Sequence, residues 1–137
     1  FVTPDRKMYG ENVLEPDELL TQVIVPIRQG QRAGHYEVRF KQSHDWPIAF
    51  ATAVLTMNGD RVESARVVMG AVAPVPWRAP SAEAVLAGKA VTERLAEQAA
   101  DAALANAQPM TGNAYKVQIA RTAVKRAILQ AAGLMKA

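Results

Sequence analysis

Residues 35–59, HYEVRFKQSHDWPIAFATAVLTMNG, contain two strand patterns separated by a polar corner. Apolar and polar side chains alternate over residues 35–41, which is the period of two of a half-buried strand. The alternation stops at residues 42–45, QSHD. Trp46-Pro47 then stiffens the chain, because proline fixes φ and restricts the residue before it. We therefore expect two strands joined by a rigid polar corner that presents side chains to a ligand.

The second strand pattern covers residues 48–58 and is apolar on both faces, which predicts a strand with both of its sides covered. Asn58-Gly59 predicts a hairpin, since a type I′ turn needs positive φ at both central residues. The following Asp60 could shift this loop by one residue. A return strand is expected over residues 61–72.

The segment before residue 35 has weaker patterns. Residues 1–20 are polar and interrupted by proline and glycine, and the chain starts without methionine, so we expect a linker or the tail of a preceding domain. Residues 23–27 form a β-branched run with a proline, which predicts a strand at a sheet edge. Residues 29–34 have the composition of a loop. The expected domain therefore covers residues 21–137.

Helix signals dominate the second half of the chain. Ser81 is a candidate N-cap for a short helix that ends at Gly88, and Thr92 is a candidate N-cap for a helix that ends before Pro109. Asn113 is a candidate N-cap for the last and longest helix, which is amphipathic. Strands followed by helices predict an α+β fold, with an antiparallel sheet of three to four strands packed on one face by three helices.

Composition excludes several classes of function. The chain has no cysteine, so disulfides, thiolate metal sites and cysteine nucleophiles are absent, and its two histidines, His35 and His44, are too few and too badly spaced to predict a metal site. The net charge of +3 is spread along the chain and does not indicate nucleic acid as a partner. No apolar run approaches the ~20 residues of a membrane span, and no secretion signal pattern is present. We expect a cytoplasmic protein.

No motif of phosphate binding, zinc proteolysis or serine hydrolysis is present. His44 and Asp45 are sequence neighbours without a nucleophile beside them, so no catalytic residue is predicted. Lys41 lies at the end of the polar face of the first strand. Composition alone favours a cross-strand ion pair of Lys41 with Glu37 or Glu63.

Several short motifs nevertheless follow one another in a specific order along nearly the whole chain. They are LEPDELL at 14–20, VP at 25–26, FKQSHDWPIA at 40–49, ARVVMGAVAPVPWRA at 65–79, Glu83 with Leu86 and Gly88, and NAYK at 113–116. In this order the chain resembles the C-terminal domain of the flavoprotein subunit of molybdenum hydroxylases, the group that includes carbon monoxide dehydrogenase and xanthine dehydrogenase.

The resemblance implies a role in electron transfer. In that family, electrons pass from a molybdopterin site through two [2Fe–2S] clusters to FAD and then to an acceptor. A preceding domain with glycine-rich loops, which this chain lacks, holds the FAD pyrophosphate and adenine. The resemblance thus implies FAD as cofactor of a complete subunit, and the FAD-binding domain and the iron–sulfur and molybdopterin subunits as partners. The chain alone is expected to be inert and not to bind FAD.

Three residues match positions near the flavin in the family. The resemblance implies that Lys41 lies beside the isoalloxazine ring, that the backbone of Leu20 contacts the ring, and that Asp45 lies close enough to tune access and potential. A cation near the pyrimidine end stabilises the anionic reduced flavin, whereas a carboxylate opposes it. Arg78 and Glu83 are expected to anchor a loop to its helix.

Two other functions remain open for this sequence. One is a stand-alone protein-interaction or small-ligand module with the same fold and no redox role. The other is a weak, basic surface that binds nucleic acid.

Overall fold

The computed structural model describes Val2, residues 12–41 and residues 43–136. Within these residues, four strands form one antiparallel sheet in the order β1-β2-β3-β4, and three helices follow the strands in the sequence. The predicted α+β fold is confirmed. The strands are β1 (Gln31–Val38), β2 (Ala49–Asn58), β3 (Arg61–Gly70) and β4 (Trp77–Arg78), and the helices are α1 (Pro80–Leu86), α2 (Glu93–Leu104) and α3 (Tyr115–Ala131).

The helices lie on one side of the sheet, where α3 packs against β1 and β2 and α1 packs against β3, while α2 packs against α1 and α3. Alternate residues of β2 face this layer, and Ala49, Ala51, Ala53 and Leu55 are completely buried. Small side chains on β2 and α3 let the two layers approach closely. The other face of β2 is only half-buried, so the prediction that both sides of this strand are covered is wrong for the described residues.

The predicted hairpin is confirmed with the one-residue shift. Asn58 pairs with Arg61, so Gly59 and Asp60 form the loop, and Gly59 has φ +63°. The predicted return strand ends at Gly70, two residues early.

The limits of β1 were predicted wrongly. The strand begins at Gln31, inside the predicted loop over residues 29–34, and it ends at Val38, before Phe40 and Lys41. Residues Gln31 to Val38 pair with β2 over their whole length. The backbone hydrogen bonds with β2 therefore hold the first half of β1 as a strand, although its composition is typical of a loop.

Residues 23–27 do not form the predicted edge strand. They lie outside any helix or strand, and Ile27 is 92% exposed. High β-propensity is not sufficient for a strand, because its backbone N–H and C=O groups must also hydrogen-bond to a neighbouring strand. The fourth strand is instead β4, in which Trp77 and Arg78 pair with Met69 and Val68. A domain boundary near residue 20 remains a prediction.

One of the three predicted helix caps is confirmed. The Thr92 hydroxyl accepts a hydrogen bond from the Leu95 N–H at 3.1 Å. Ser81 lies inside α1, which Pro80 begins, and its hydroxyl donates to the Ala102 carbonyl instead. Asn113 does not cap α3, whose N-cap residue is Ala114 and makes no side-chain cap bond. Within the described ranges, no helix is long and apolar enough to cross a membrane.

Candidate functional site

The polar corner between β1 and β2 is closed by two hydrogen bonds. The Ile48 N–H donates to the Val38 carbonyl at 2.8 Å where the two strands meet. The Lys41 N–H donates to the Asp45 Oδ2 at 3.0 Å, and His44 has φ +53° in the turn between them. The Asp45 carboxylate thus holds the backbone of Lys41 in place, and the Lys41 residue itself is exposed.

The cross-strand ion pair expected for Lys41 is not found. Glu37 is bound by Arg39, with Nη2 to Oε2 at 2.6 Å and Nε to Oε1 at 2.7 Å, and His35 Nε2 lies 3.9 Å from Oε2. The hydrogen bond from Arg39 is the main cause of a lowered pKa of Glu37. Lys41 makes no ion pair with a carboxylate in the part of the chain that the structure describes. No carboxylate of the described residues therefore competes with an external group for the Lys41 ammonium.

Exposed apolar side chains accompany the corner. Phe40 and Trp46, on either side of the Lys41–Asp45 turn, are 80% and 89% exposed. Leu20 lies in a separate segment without helix or strand and is 67% exposed. The corner brings Lys41 and Asp45 together through their hydrogen bond, whereas Leu20 belongs to no helix or strand. Several large exposed apolar residues in two segments are typical of a surface that another molecule covers.

The open face of the sheet continues from this corner. The Phe50 ring lies over Gly70, where an added Cβ would meet Phe50 Cζ at 1.9 Å. The His35 ring centroid is 5.6 Å from that of Phe50, and His35 Nδ1 lies 2.9 Å from the Thr52 hydroxyl. Gly70 thus allows an aromatic ring to lie flat on the sheet at the end nearest the corner.

The predicted anchor between Arg78 and Glu83 is confirmed. Arg78 donates to both oxygens of Glu83, at 2.9 and 2.6 Å, and the Val67 N–H donates to Oε1 at 3.1 Å. Burial raises the pKa of Glu83, but the hydrogen bonds from Arg78 and Val67 outweigh it, so the pKa is lowered overall. This carboxylate joins β3, β4 and α1, and its contacts are all structural.

Sequence reasoning missed the contact of Glu83 with Val67, because the two residues meet only when α1 docks on β3. It also missed the exposure of Phe40, which alternation placed on the buried face of a longer strand. The polar run at residues 42–45 is a local signal that the strand ends early, and β1 already ends at Val38.

Comparisons with known proteins identify the family of this domain. Residues 34–131 match the family model of the CO dehydrogenase flavoprotein C-terminal domain. The carbon monoxide dehydrogenase medium chain of Hydrogenophaga pseudoflava is 32% identical over 120 residues, which are 85% of this chain and 42% of the relative. The aldehyde oxidoreductase FAD-binding subunit PaoB of Escherichia coli is 27% identical over 128 residues, 93% of this chain and 37% of the relative.

A solved structure supports the same assignment. Quinoline 2-oxidoreductase from Pseudomonas putida 86 superposes with a TM-score of 0.73 at 29% identity, over 82% of this chain and 40% of that chain. The fold is therefore that of a domain found in the flavin subunits of molybdenum hydroxylases. The chain belongs to the CO dehydrogenase flavoprotein C-terminal domain family, as the order of its motifs predicts. It spans about two fifths of the length of these relatives.

Proposed function

We propose that this chain covers the flavin in the FAD-containing subunit of a molybdenum hydroxylase. In this role it docks to an FAD-binding domain and to iron–sulfur and molybdopterin partners, in the cytoplasm, while electrons pass through FAD to an acceptor. The observation that carries the proposal is the turn in which the exposed Phe40 and Trp46 flank Lys41, a lysine that has no carboxylate partner among the described residues. Apolar side chains can pack against the planar isoalloxazine ring of a flavin, and a nearby cation stabilises the negative charge that the ring gains on reduction.

The residues fit one wall of a flavin site. Lys41 supplies a positive charge, and Asp45 fixes the backbone of Lys41 through the 3.0 Å hydrogen bond. The chain has no glycine-rich loop that could hold a pyrophosphate. When bound, FAD supplies the two-electron chemistry. The part of this chain is to orient the ring, exclude water and set the local charge.

Flavin binding tests the proposal directly. The chain alone should show no saturable binding of FAD, since its residues supply only one wall. Joined to the FAD-binding domain of its own subunit, in cis or in trans, it should retain FAD and support reduction of an artificial dye by the assembled enzyme. If the joined protein neither retains FAD nor supports dye reduction, the proposal is wrong.

Substitutions at Lys41 and Asp45 should move the flavin potential in opposite directions. In the complete subunit, Lys41→Ala should lower the two-electron midpoint potential by about 20–60 mV, because a removed charge contact of ~1–3 kcal/mol corresponds to this range. Asp45→Asn should raise the potential, because the amide still accepts the backbone hydrogen bond but carries no negative charge. Spectroelectrochemical titration of the flavin measures both changes.

Lys89→Ala is the matched control for these substitutions. Lys89 lies beside Val62, at the hairpin end of the sheet and away from the corner, so its removal should leave the potential unchanged. Equal potentials in the wild type and in the Lys41→Ala and Asp45→Asn variants would show that the corner does not face the flavin.

A further inference from the structure

A cleft of about 680 Å³ opens between the loop after β3, the end of α2 and the start of α3. Pockets that hold small molecules typically measure about 300–1,000 Å³. Apolar side chains from all three segments line the cleft, among them Met69, Val72, Leu104 and Val117. Trp77 lies along its edge and is 51% exposed. The cleft can therefore accept a flat or branched apolar body.

The charged residues that line the cleft are all basic. The lining contains Arg78 and Lys116 and no acidic residue. The charge of Arg78 is compensated by Glu83. Lys116 forms no ion pair with any carboxylate of the described segments. An apolar cleft with one available cation is complementary to a small molecule that carries one negative charge.

Asn113 adds a second polar group to the wall. Its Oδ1 is buried and has no hydrogen-bond partner among the residues that the structure describes. A buried amide oxygen in this condition costs about 1–3 kcal/mol, and native proteins usually avoid it. The oxygen can only accept a hydrogen bond, so it is the Nδ2 of Asn113, which lines the same cleft, that can donate to a bound carboxylate.

We propose that this cleft binds a small amphiphilic carboxylate with an aromatic or branched aliphatic body. The body occupies the apolar floor, and the carboxylate faces Lys116 and Asn113. The proposal goes beyond the flavin role and is independent of it, since it uses only residues of this chain on the helical side of the sheet. It assigns these two polar residues a function that the packing of the domain does not require.

Titration of the 137-residue chain with 2-naphthoate tests the proposal. Amide NMR signals of residues that line the cleft, together with the indole N–H of Trp77, should shift and saturate. The amide signals of Gly59 and Asp60, in the hairpin at the opposite end of β2 and β3, should not shift. 2-Naphthamide, which has the same rings without the charge, should bind at least about fivefold more weakly, as expected for the loss of one charge contact.

Three variants make the test specific. Lys116→Met should weaken binding of 2-naphthoate about fivefold, whereas Lys136→Met, beyond the other end of α3, removes the same charge and should have no effect. Asn113→Leu should weaken binding without loss of thermal stability, because it removes an unsatisfied buried group. Ala103→Phe fills the cleft and should abolish binding.

Equal affinity of the wild type and the Lys116→Met variant, or absence of saturable shifts, would overturn the proposal. The Lys116 and Asn113 variants keep the test decisive even if Ala103→Phe does not fold. The assembled enzyme supplies one further outcome. If assembly with its partner subunits removes 2-naphthoate binding, the cleft is a protein interface and the small-ligand proposal is wrong.

Discussion

Gly34→Ala should lower the free energy of unfolding by about 3 kcal/mol or more, the upper range of overpacking effects. Gly34 is buried in β1 beneath α3. A Cβ at this position would lie 2.1 Å from the Ala127 carbonyl oxygen and 2.5 Å from the Ala131 nitrogen. Because both obstacles are backbone atoms, no side-chain rotation relieves the clash, and α3 must move away from the sheet. Urea denaturation should show a lower midpoint.

Gly70→Ala provides the matched control. Its added Cβ would meet the Phe50 ring, at 1.9 Å from Cζ, and that ring lies on the half-exposed face of the sheet. In a Phe50→Ala background the cost of Gly70→Ala should therefore largely disappear. The cost of Gly34→Ala should persist in a Gln130→Ala background, because alanine keeps the Cβ that lies 2.8 Å from the new atom. A Gly34→Ala variant as stable as wild type would show that α3 does not pack on β1 as described.

The same glycine explains why half of β1 could not be predicted. The composition of residues 31–34 is typical of a loop. It does not reveal that α3 packs so closely on β1 that position 34 must be a glycine. The strand β2 could be predicted, since its alternation of buried and half-buried residues is a local property. The two residues of β4 have no local signal, because their pairing with β3 is set by the turn before them.

The two candidate sites also differ in how far the sequence predicts them. The corner of Lys41 and Asp45 is a local turn and could be located from the end of the strand pattern, while the functional roles of these residues came from the family resemblance alone. The cleft is formed by residues from the ranges 69–81, 102–109 and 113–120, which the packing of α1, α2 and α3 brings together. No local pattern in any one of them predicts a cavity.

Glu83→Gln should destabilise the domain by about 2–3 kcal/mol at neutral pH. Removing one partner of a buried ion pair costs ~3–5 kcal/mol, and this range is reduced here because the guanidinium of Arg78 is half-exposed and can be solvated by water. Glutamine can still accept the hydrogen bond from the Val67 N–H, but it loses the charge that holds both nitrogens of Arg78. Thermal denaturation at pH 7 measures the loss. Glu93→Gln, which removes a largely exposed partner of Lys125, should leave the midpoint unchanged.

The pH dependence separates the charge of Glu83 from its packing. The pKa of Glu83 is lower in the folded chain than its ordinary value, because the hydrogen bonds from Arg78 and Val67 outweigh the effect of burial. Its stabilising contribution is thus complete above the unfolded pKa of about 4.3 and is lost as the pH falls through the lower folded pKa. The stability difference between wild type and Glu83→Gln should therefore narrow below about pH 4. A difference that stays constant from pH 7 to pH 3 would mean that packing, and not the ionised carboxylate, holds β3, β4 and α1 together.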